Sequence, residues 1–400
     1  MIEACVTEYE TVSLAMPAAS ARALAGHPYA GLTVTPGERD GVWNVRASSR
    51  VGVISAGGVR LSVRPKVPIA SALALMIDAP PDERWLDEDV PLDESSDLLR
   101  IVVHAFAVAL DRGLARGLCR EYVEQHEELI GVRGRIDTTR IARRPPARAG
   151  LPCTFDDFTA DTDLNRLLLA AITRSTQVVS LPGADRTLLR RCEAALDGVG
   201  RDGDPLAWFG TWVPTRRDAH FARAARLAAL ILRRLTVADS VGGVLAQAFV
   251  VDMNRLVEAF IETRLRIALR GVLDVRGQNG TWLDEDDTVP IKPDLRFLFK
   301  GRDLLVADIK YKVVGSLDEA SNADIYQAIS YASAMGLGDA VLITCGPERE
   351  GAKRVTVRHS GIRLHLIPLH LSGDNEQLRR QVDEVAKRLR ALTFPVATVA

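Results

Sequence analysis

The spacing of hydrophobic and polar residues predicts strands at the start of this chain. Over the first 70 residues, short apolar runs alternate with Gly, Pro and Asp, which is typical of strands joined by turns. Residues 53–66 predict a β-hairpin that turns at Gly57-Gly58 and ends in Arg64-Pro-Lys66. A short apolar helix is expected over 70–77. The N-terminal part is therefore predicted to be β-rich.

Helical spacing dominates the middle of the chain, and helices and strands mix towards the end. Helices are predicted over residues 98–118, 164–179, 186–196 and 219–235. The later elements are a helix (253–269), two strands (291–299, 304–311), a helix (323–334), three strands (340–344, 354–358, 362–367) and a helix (376–392). This order indicates a mixed sheet flanked by helices.

The fold class predicted from these elements is α/β, more closely α+β, in three parts. We expect a β-rich domain at 1–150, a helical connecting region at 151–245 and a mixed α/β domain at 246–400. With 400 residues, of which 47% are hydrophobic and 26% charged, the composition is that of a globular protein of two or three domains.

The charges nearly cancel, but they are unevenly placed. The 51 basic and 52 acidic residues give a net charge of −1, which excludes a uniformly basic nucleic-acid binder but not one basic face. Residues 78–97 hold nine carboxylates and one arginine, which predicts an exposed loop or hinge. Residues 131–150 hold six arginines against one aspartate, typical of either a solvated loop or a phosphate contact.

Several classes of protein are disfavoured by motifs that the sequence lacks. The five cysteines form no CxxC pair, which argues against a zinc ribbon or a disulfide framework. We expect no membrane association and a cytoplasmic location, since neither a signal peptide pattern nor an apolar run of transmembrane length is present. The dipeptide Gly-Lys does not occur, so no P-loop for nucleotide hydrolysis is expected.

The chemically informative segment is the hairpin predicted at 293–310, with its turn at Lys300-Gly301-Arg302. Pairing Phe299 with Asp303 would bring Asp294 directly opposite Asp308. The alternation agrees, because it would place Leu295, Phe297 and Phe299 together on the other, apolar face. Two opposed carboxylates repel each other, and a divalent cation between them makes the arrangement favourable. Carboxylate oxygens are ligands that Mg²⁺ prefers. The alternative is an edge hairpin with a solvated charged face.

Lys310 lies two residues beyond Asp308 and on the same face of the predicted strand. Its ammonium could orient or activate water or stabilise a pentavalent phosphate, and only seven of the 51 basic residues are lysine. Asp294, Asp308 and Lys310 thus form the PD-(D/E)xK pattern of metal-dependent nucleases, in which metal-activated water attacks a phosphodiester.

Three further residues are candidates for supporting roles. Glu258 lies on the preceding predicted helix, where it could reach a metal, although Glu262 competes for that role. Gln327 and Tyr331 are four residues apart on the following helix and share one face of it. Taken alone, Glu258 is better explained as a surface glutamate, and Gln327 and Tyr331 equally well as polar contacts on the helix surface.

Several segments, taken in order, resemble the McrC family, the nuclease subunits of McrBC-type modification-dependent restriction systems for 5-methylcytosine. These segments are 57–69, 131–137, 153–166, 253–261, 293–294, 308–312 and 324–331. The resemblance implies Mg²⁺ as cofactor, with Asp294, Asp308 and Glu258 as metal ligands and Lys310 as the third catalytic residue with the two aspartates. Gln327 and Tyr331 would support them.

The resemblance also implies partners and a role in phage defence. A McrB-like AAA+ GTPase hexamer would bind GTP and recognise modified DNA, while the N-terminal domain of this chain docks on the hexamer and stimulates its hydrolysis. The C-terminal domain would cut methylated double-stranded DNA, and dimerisation within the complex is one arrangement that fits.

Two other functions stay open at this point. One is a stand-alone RecB-like nuclease, against which the N-terminal β-rich domain argues because it would have no evident role. The other is a non-cutting activator of an AAA+ NTPase, against which the intact set Asp294, Asp308 and Lys310 argues.

Overall fold

The structure is a computed structural model. It describes residues 1–27, 30–77, 98–143, 150–177, 181–239, 245–278, 280–313, 322–345, 353–373 and 375–394. The acidic segment 78–97 and residues 144–149 of the arginine-rich segment lie outside the described residues, so the expectations for them stay predictions. Among the helices that the structure describes, none combines the length and the apolar character needed to cross a membrane.

The chain divides into two compact units, and their boundaries differ from those predicted. One unit comprises Met1–Ser95, Ser240–Ala246 and Val250–Ala400, and the other comprises Ser96–Asp239 and Gln247–Phe249. The N-terminal β-rich segment therefore shares a unit with the C-terminal α/β segment, instead of forming a separate domain at 1–150. A division at 150 and 245 cannot represent this, because packing joins segments that are remote in sequence.

The N-terminal segment is β-rich, as predicted. Its elements are β1 (Ile2–Thr7), β2 (Thr11–Ala15), α1 (Ala18–Ala25), β3 (Leu32–Pro36), β4 (Val42–Ala47), β5 (Arg50–Ala56), β6 (Val59–Arg64) and α2 (Ile69–Ile77). Strand β6 pairs with β1 in parallel and with β5 antiparallel. The predicted hairpin is confirmed, because Gly57 and Gly58 have φ values of 56° and 78°, as a two-residue type I′ turn requires.

The second unit is mainly helical. Its elements are α3 (Leu98–Leu114), β7 (Glu121–Leu129), β8 (Arg135–Ile136), α4 (Thr138–Arg143), β9 (Leu151–Thr159), α5 (Asp163–Thr176), α6 (Gly183–Ala195), α7 (Pro205–Phe209), a 3₁₀ helix (Ala219–Phe221), α8 (Ala222–Arg234) and β10 (Leu235–Asp239). The four predicted helices are confirmed. The sheet β7-β9-β8 was not predicted, because most side chains of β7 are polar and exposed and carry no apolar alternation.

The C-terminal segment carries the candidate site. Its elements are β11 (Leu245–Asp252), α9 (Met253–Ala268), β12 (Asp274–Gly277), β13 (Thr281–Trp282), β14 (Pro290–Ile291), β15 (Leu295–Phe299), β16 (Arg302–Val313), α10 (Asn322–Ala334), β17 (Asp339–Cys345), β18 (Lys353–Thr356), β19 (Arg363–Leu369) and α11 (Asn375–Thr393). A six-stranded sheet has the order β12-β15-β16-β17-β19-β18 and mixes parallel with antiparallel pairs. The predicted mixed sheet is confirmed.

Helices cover both faces of the centre of this sheet. Val306 of β16 and Leu342 of β17 pack against Ala328 and Tyr331 of α10 in one buried cluster. Residues 305, 307 and 309 point to the opposite face, where α9 contacts β16 and α11 contacts β19. Because both faces are covered, Asp308 on β16 is removed from water almost completely, and this determines the electrostatics of the site.

Candidate active site

The hairpin β15–β16 brings the two predicted aspartates to neighbouring strands, although its turn differs from the prediction. Phe299 pairs with Arg302 and not with Asp303, so the predicted pairing is wrong next to the turn. Phe299 is also 40% exposed and does not continue the inward face predicted for it. Further from the turn the predicted register is confirmed, since Phe297 pairs with Leu305 and Leu295 with Ala307.

The difference arises from a tight turn followed by a bulge. Lys300 and Gly301 have φ values of 50° and 80°, so the turn contains two residues and not the predicted three. The register then shifts between Phe297 and Leu298, which restores the predicted pairing for the inner part of the hairpin. The site lies beyond the bulge, and its geometry follows the predicted register.

Asp294 is held at the start of β15 by the neighbouring strand. Its Oδ2 accepts a hydrogen bond of 2.8 Å from the backbone N–H of Ile309, and its backbone carbonyl accepts one of 2.9 Å from the N–H of Gln278. Ile309 directly follows Asp308, so the carboxylate of Asp294 lies beside the strand position that carries the second aspartate.

Asp308 is almost completely buried, with 2% of its surface exposed. Burial and the negative charge of Asp294 raise the pKa of Asp308 to about 7, against the lowering effect of Lys310. Its Oδ2 lies 2.7 Å from Nζ of Lys310 and forms an ion pair with it. The negative charge of this buried oxygen is therefore balanced by one ammonium.

Lys310 connects the strand to helix α10. Besides the contact with Asp308, its Nζ donates a hydrogen bond of 2.9 Å to Oε1 of Gln327 and lies 3.9 Å from Oδ1 of Asp324. Burial alone would lower the pKa of Lys310, but the charges of Asp308, Asp294 and Asp324 outweigh it and raise this pKa. Lys310 is therefore an ammonium ion in this site.

Gln327 and Tyr331 continue the network from Lys310 along one face of α10, as their spacing predicts. The Nε2 of Gln327 donates a hydrogen bond of 2.7 Å to the hydroxyl of Tyr331. That hydroxyl donates a 3.3 Å bond to the backbone carbonyl of Lys292, two residues before Asp294. Burial raises the pKa of Tyr331. This network ties α10 to the segment that positions the first aspartate.

Glu258 and Glu262 lie one helical turn apart on α9 and differ in their surroundings. Burial and the charge of Asp294 raise the pKa of Glu258, against the opposing effect of Lys310. Glu262 instead forms an ion pair with Arg266 on its own helix. Of the two, Glu258 is therefore the one coupled to the aspartate and the lysine.

A cavity of about 650 Å³ opens where α9 faces the start of β15. Its lining is rich in carboxylates and comprises Asp252, Asn254, Arg255, Glu258, Ala259, Glu262, Gln278, Asp294 and Ile309. Such an acidic cavity favours a cation over a bare phosphate.

Two residues of this site are absent from the sequence prediction. Gln278 follows β12 and donates a hydrogen bond of 3.3 Å from Nε2 to Oε2 of Glu258. No sequence motif marks it, because it reaches the site through strand pairing. Asp324 could have been found, since it lies three residues before Gln327 on the same face of α10.

The carboxylates fit a magnesium ion bound through two protein ligands. Among the described residues no group of three His, Cys, Asp or Glu is arranged to hold a metal ion. Mg²⁺, however, is commonly held by one or two carboxylates and keeps several waters. Asp294 and the buried Asp308 are the two carboxylates that could hold such an ion. Glu258 as a third ligand stays a prediction.

The chain matches one family model and shares its fold with a solved structure. A model described as "McrBC 5-methylcytosine restriction system component" matches residues 45–344, which include every predicted site residue. The refined half-complex from the tetradecameric assembly of Thermococcus gammatolerans McrB AAA+ hexamers with bound McrC contains a similar chain, with a TM-score of 0.62 and 20% sequence identity. The alignment covers 96% of this chain and 100% of that one.

A second solved structure also contains a similar chain. The cryo-EM structure of the Thermococcus gammatolerans McrBC complex contains a chain that is 23% identical, with 69% of this chain and 89% of that one covered. Its TM-score of 0.47 is too low to support an argument about the fold. The sequence matches no curated protein.

Proposed function

The chain belongs to the McrBC 5-methylcytosine restriction-system family, and from this premise we propose that it is the nuclease subunit of a modification-dependent restriction complex. The observation that carries the proposal is the ion pair between Lys310 and Asp308, 2.7 Å long and beside Asp294 on the neighbouring strand. A half-buried lysine and two aspartates, one on β16 and one directly before β15, are the arrangement expected of the PD-(D/E)xK pattern.

Asp294 and Asp308 are proposed to hold Mg²⁺. When bound, the ion would lower the pKa of a water molecule and so favour hydroxide as the nucleophile. Its positive charge would also stabilise the negative charge that develops on the phosphodiester. The side chains are prepared for this, because Ile309 fixes the orientation of Asp294 and burial fixes that of Asp308. The ion would also remove the repulsion that raises the pKa of Asp308.

Lys310 is proposed to act as a fixed cation and not as a base. Its pKa is raised, so it has no tendency to accept a proton from water at neutral pH. Gln327 holds Nζ at 2.9 Å, and the ammonium can thereby orient a water molecule or stabilise charge on the phosphate. Tyr331 in turn orients Gln327 through the 2.7 Å hydrogen bond between them.

An AAA+ GTPase is proposed as the partner that supplies recognition and GTP hydrolysis. The solved structure with the shared fold contains McrB AAA+ hexamers with bound McrC. The sequence of this chain contains no Gly-Lys dipeptide and hence no P-loop of its own. We propose that the N-terminal β-rich segment contacts this partner and stimulates its hydrolysis, and that the substrate is methylated double-stranded DNA.

The proposal is tested by reconstituting the chain with a McrB-like AAA+ GTPase from the same organism, GTP, Mg²⁺ and methylated DNA. Cleavage is expected only when all components are present and with methylated, not unmethylated, DNA. Cleavage without the partner would instead identify a stand-alone nuclease. Stimulated GTP hydrolysis without cleavage would identify a non-cutting activator.

A second readout tests the metal site without any cleavage. Mg²⁺ should raise the melting temperature of the chain, because a ligand that binds only the folded state stabilises it. The shift should vanish in Asp308→Asn and persist in Asp286→Asn, which alters an exposed aspartate outside the site. An equal shift in both variants would contradict the assignment of Asp308 as a ligand.

A further inference from the structure

Two consecutive residues at the end of the first strand contact both elements that carry the candidate site. Glu8 and Tyr9 directly follow β1, and Tyr9 has a φ of 66°, so the backbone turns sharply there. Glu8 contacts β16, and Tyr9 contacts α9. All of these residues belong to the same compact unit.

Glu8 is completely buried and binds the residue next to Lys310. Its exposed surface is 0%, and its Oε1 accepts a hydrogen bond of 2.6 Å from the hydroxyl of Tyr311. The same oxygen accepts another of 2.6 Å from the backbone N–H of Lys66, just after β6. A buried carboxylate that takes two short hydrogen bonds is a rigid joint, because breaking either one leaves a polar group unpaired away from water.

Tyr9 forms the second contact, with helix α9. Its hydroxyl donates a hydrogen bond of 3.2 Å to Oδ1 of Asn254, which lines the cavity one helical turn before Glu258. The ammonium of Lys66 lies 4.5 Å from the centre of the Tyr9 ring, a cation–π contact. Lys66 therefore contacts both Glu8 and Tyr9.

The start of α9 is fixed by the same N-terminal segment. Asp252 caps the helix by accepting a hydrogen bond of 3.1 Å from the N–H of Asn254, and Ser49 donates its hydroxyl to the same Oδ1 at 3.1 Å. The backbone N–H of Met253 donates to the carbonyl of Ser49 at 2.9 Å. The orientation of α9 thus depends on residues more than 200 positions earlier in the chain.

We propose that Glu8 and Tyr9 are positioning residues of the nuclease site. Glu8 holds β16 through Tyr311 and so sets the place of Lys310, while Tyr9 holds α9 through Asn254 and so sets the place of Glu258. Through Lys66, both are bound to the end of β6, so the N-terminal β-rich segment is a structural part of the catalytic unit. This inference rests on the proposed function and assigns roles to residues that the PD-(D/E)xK pattern does not include.

The test uses variants that remove the polar groups of these contacts. Tyr311→Phe and Tyr9→Phe each delete one hydroxyl, and Glu8→Ala deletes the shared acceptor. In the reconstituted complex we expect Tyr311→Phe and Tyr9→Phe to lower the single-turnover rate of DNA cleavage about tenfold, the effect of one buried hydrogen bond on the geometry. The dissociation constant for DNA should stay unchanged, because neither residue contacts DNA in this account.

Two variants at Glu8 distinguish the effect of losing the acceptor oxygen from the effect of losing the negative charge. Glu8→Gln keeps an acceptor oxygen for Tyr311 and Lys66 and should retain most of the cleavage rate, whereas Glu8→Ala should lose at least as much as Tyr311→Phe. Tyr122→Phe is the matched control, since it deletes an exposed hydroxyl in the other unit, 71% exposed, and should cleave at the wild-type rate.

Hydrogen exchange gives a readout that does not depend on cleavage. In Tyr311→Phe and Glu8→Ala the amide of Ile309, which binds Asp294, should exchange faster, while amides of β19 should be unchanged. Wild-type cleavage rates in folded Tyr311→Phe and Tyr9→Phe, with unchanged exchange at Ile309 in Tyr311→Phe, would overturn the inference. If the wild-type chain never cleaves, the proposed function fails, and the exchange data still decide whether Glu8 positions β16.

Discussion

The backbone N–H of Ile309 donates a hydrogen bond to the carboxylate of Asp294, so the strand that carries the second aspartate also orients the first. The carboxylate of Asp294 therefore cannot move away from Asp308 without breaking this hydrogen bond. The two carboxylates repel each other in the folded state. Burial and this repulsion together raise the pKa of Asp308 to about 7.

Removing the charge of Asp294 should lower the pKa of Asp308. Asp294→Asn keeps an acceptor oxygen for the N–H of Ile309 but deletes the negative charge that opposes ionisation of Asp308. Burial should still hold the pKa of Asp308 above its ordinary value. Carboxyl carbon shifts in an NMR titration of the metal-free protein would show this, and an unchanged Asp308 titration would contradict the proximity of the two groups.

The stability of the metal-free protein should fall as the pH rises towards 7. The folded state keeps a proton on Asp308 up to about pH 7, whereas the unfolded chain loses it near its ordinary value of 3.8. Between these values the folded state binds more protons, so the free energy of unfolding decreases with pH. Asp308→Asn removes this contribution.

Urea unfolding of wild type and Asp308→Asn at about pH 5 and about pH 8 measures the effect. The difference between the two proteins should shift in favour of the variant at the higher pH. Glu8 and Glu258, whose pKa values burial also raises, are present in both proteins and cancel in the comparison. A difference that does not vary with pH would show that Asp308 titrates normally.

Gln327 should matter for the rate of cleavage because it holds the ammonium of Lys310. Gln327→Ala removes the acceptor at 2.9 Å and frees the lysine side chain, for which we expect a loss of about tenfold in the single-turnover rate. Ser333→Ala changes an exposed residue of the same helix and serves as the control. Equal rates for the two variants would contradict the role assigned to Gln327.

The turn of the hairpin offers a test of the fold that is independent of chemistry. Gly301 has a φ of 80°, so Gly301→Ala should destabilise the protein by about 1–2 kcal/mol even though nothing lies within 4 Å of the added Cβ. Gly338 is equally open but has no positive φ, so Gly338→Ala should not destabilise. Thermal unfolding of both variants makes the comparison.

The sequence predicts the site correctly where the local hydrophobic pattern agrees with the strand pairing. The alternation of residues 295–309 led to the inner register that brings Asp294 to Asp308, and helical spacing placed Gln327 and Tyr331 on one face. The turn was wrong by one residue, because a bulge leaves the apolar alternation almost unchanged and so has no clear signal in the sequence.

Residues that reach the site through tertiary packing left no signal at all. Glu8 and Tyr9 lie about 300 and 245 positions from their partners Tyr311 and Asn254. Neither belongs to a motif, and an N-terminal acidic residue is most simply expected on the surface. For the same reason, the sequence does not predict that the N-terminal and C-terminal segments belong to one compact unit.

The most direct test of the nuclease site is the cleavage rate of Lys310→Ala beside that of Lys300→Ala, in the full complex with methylated DNA. Lys300 lies exposed in the turn of the same hairpin, so both variants remove one positive charge from it. We predict that Lys310→Ala abolishes cleavage while leaving the partner's GTP hydrolysis stimulated, and that Lys300→Ala cleaves like wild type. Cleavage by Lys310→Ala at the wild-type rate would contradict the assignment of the site.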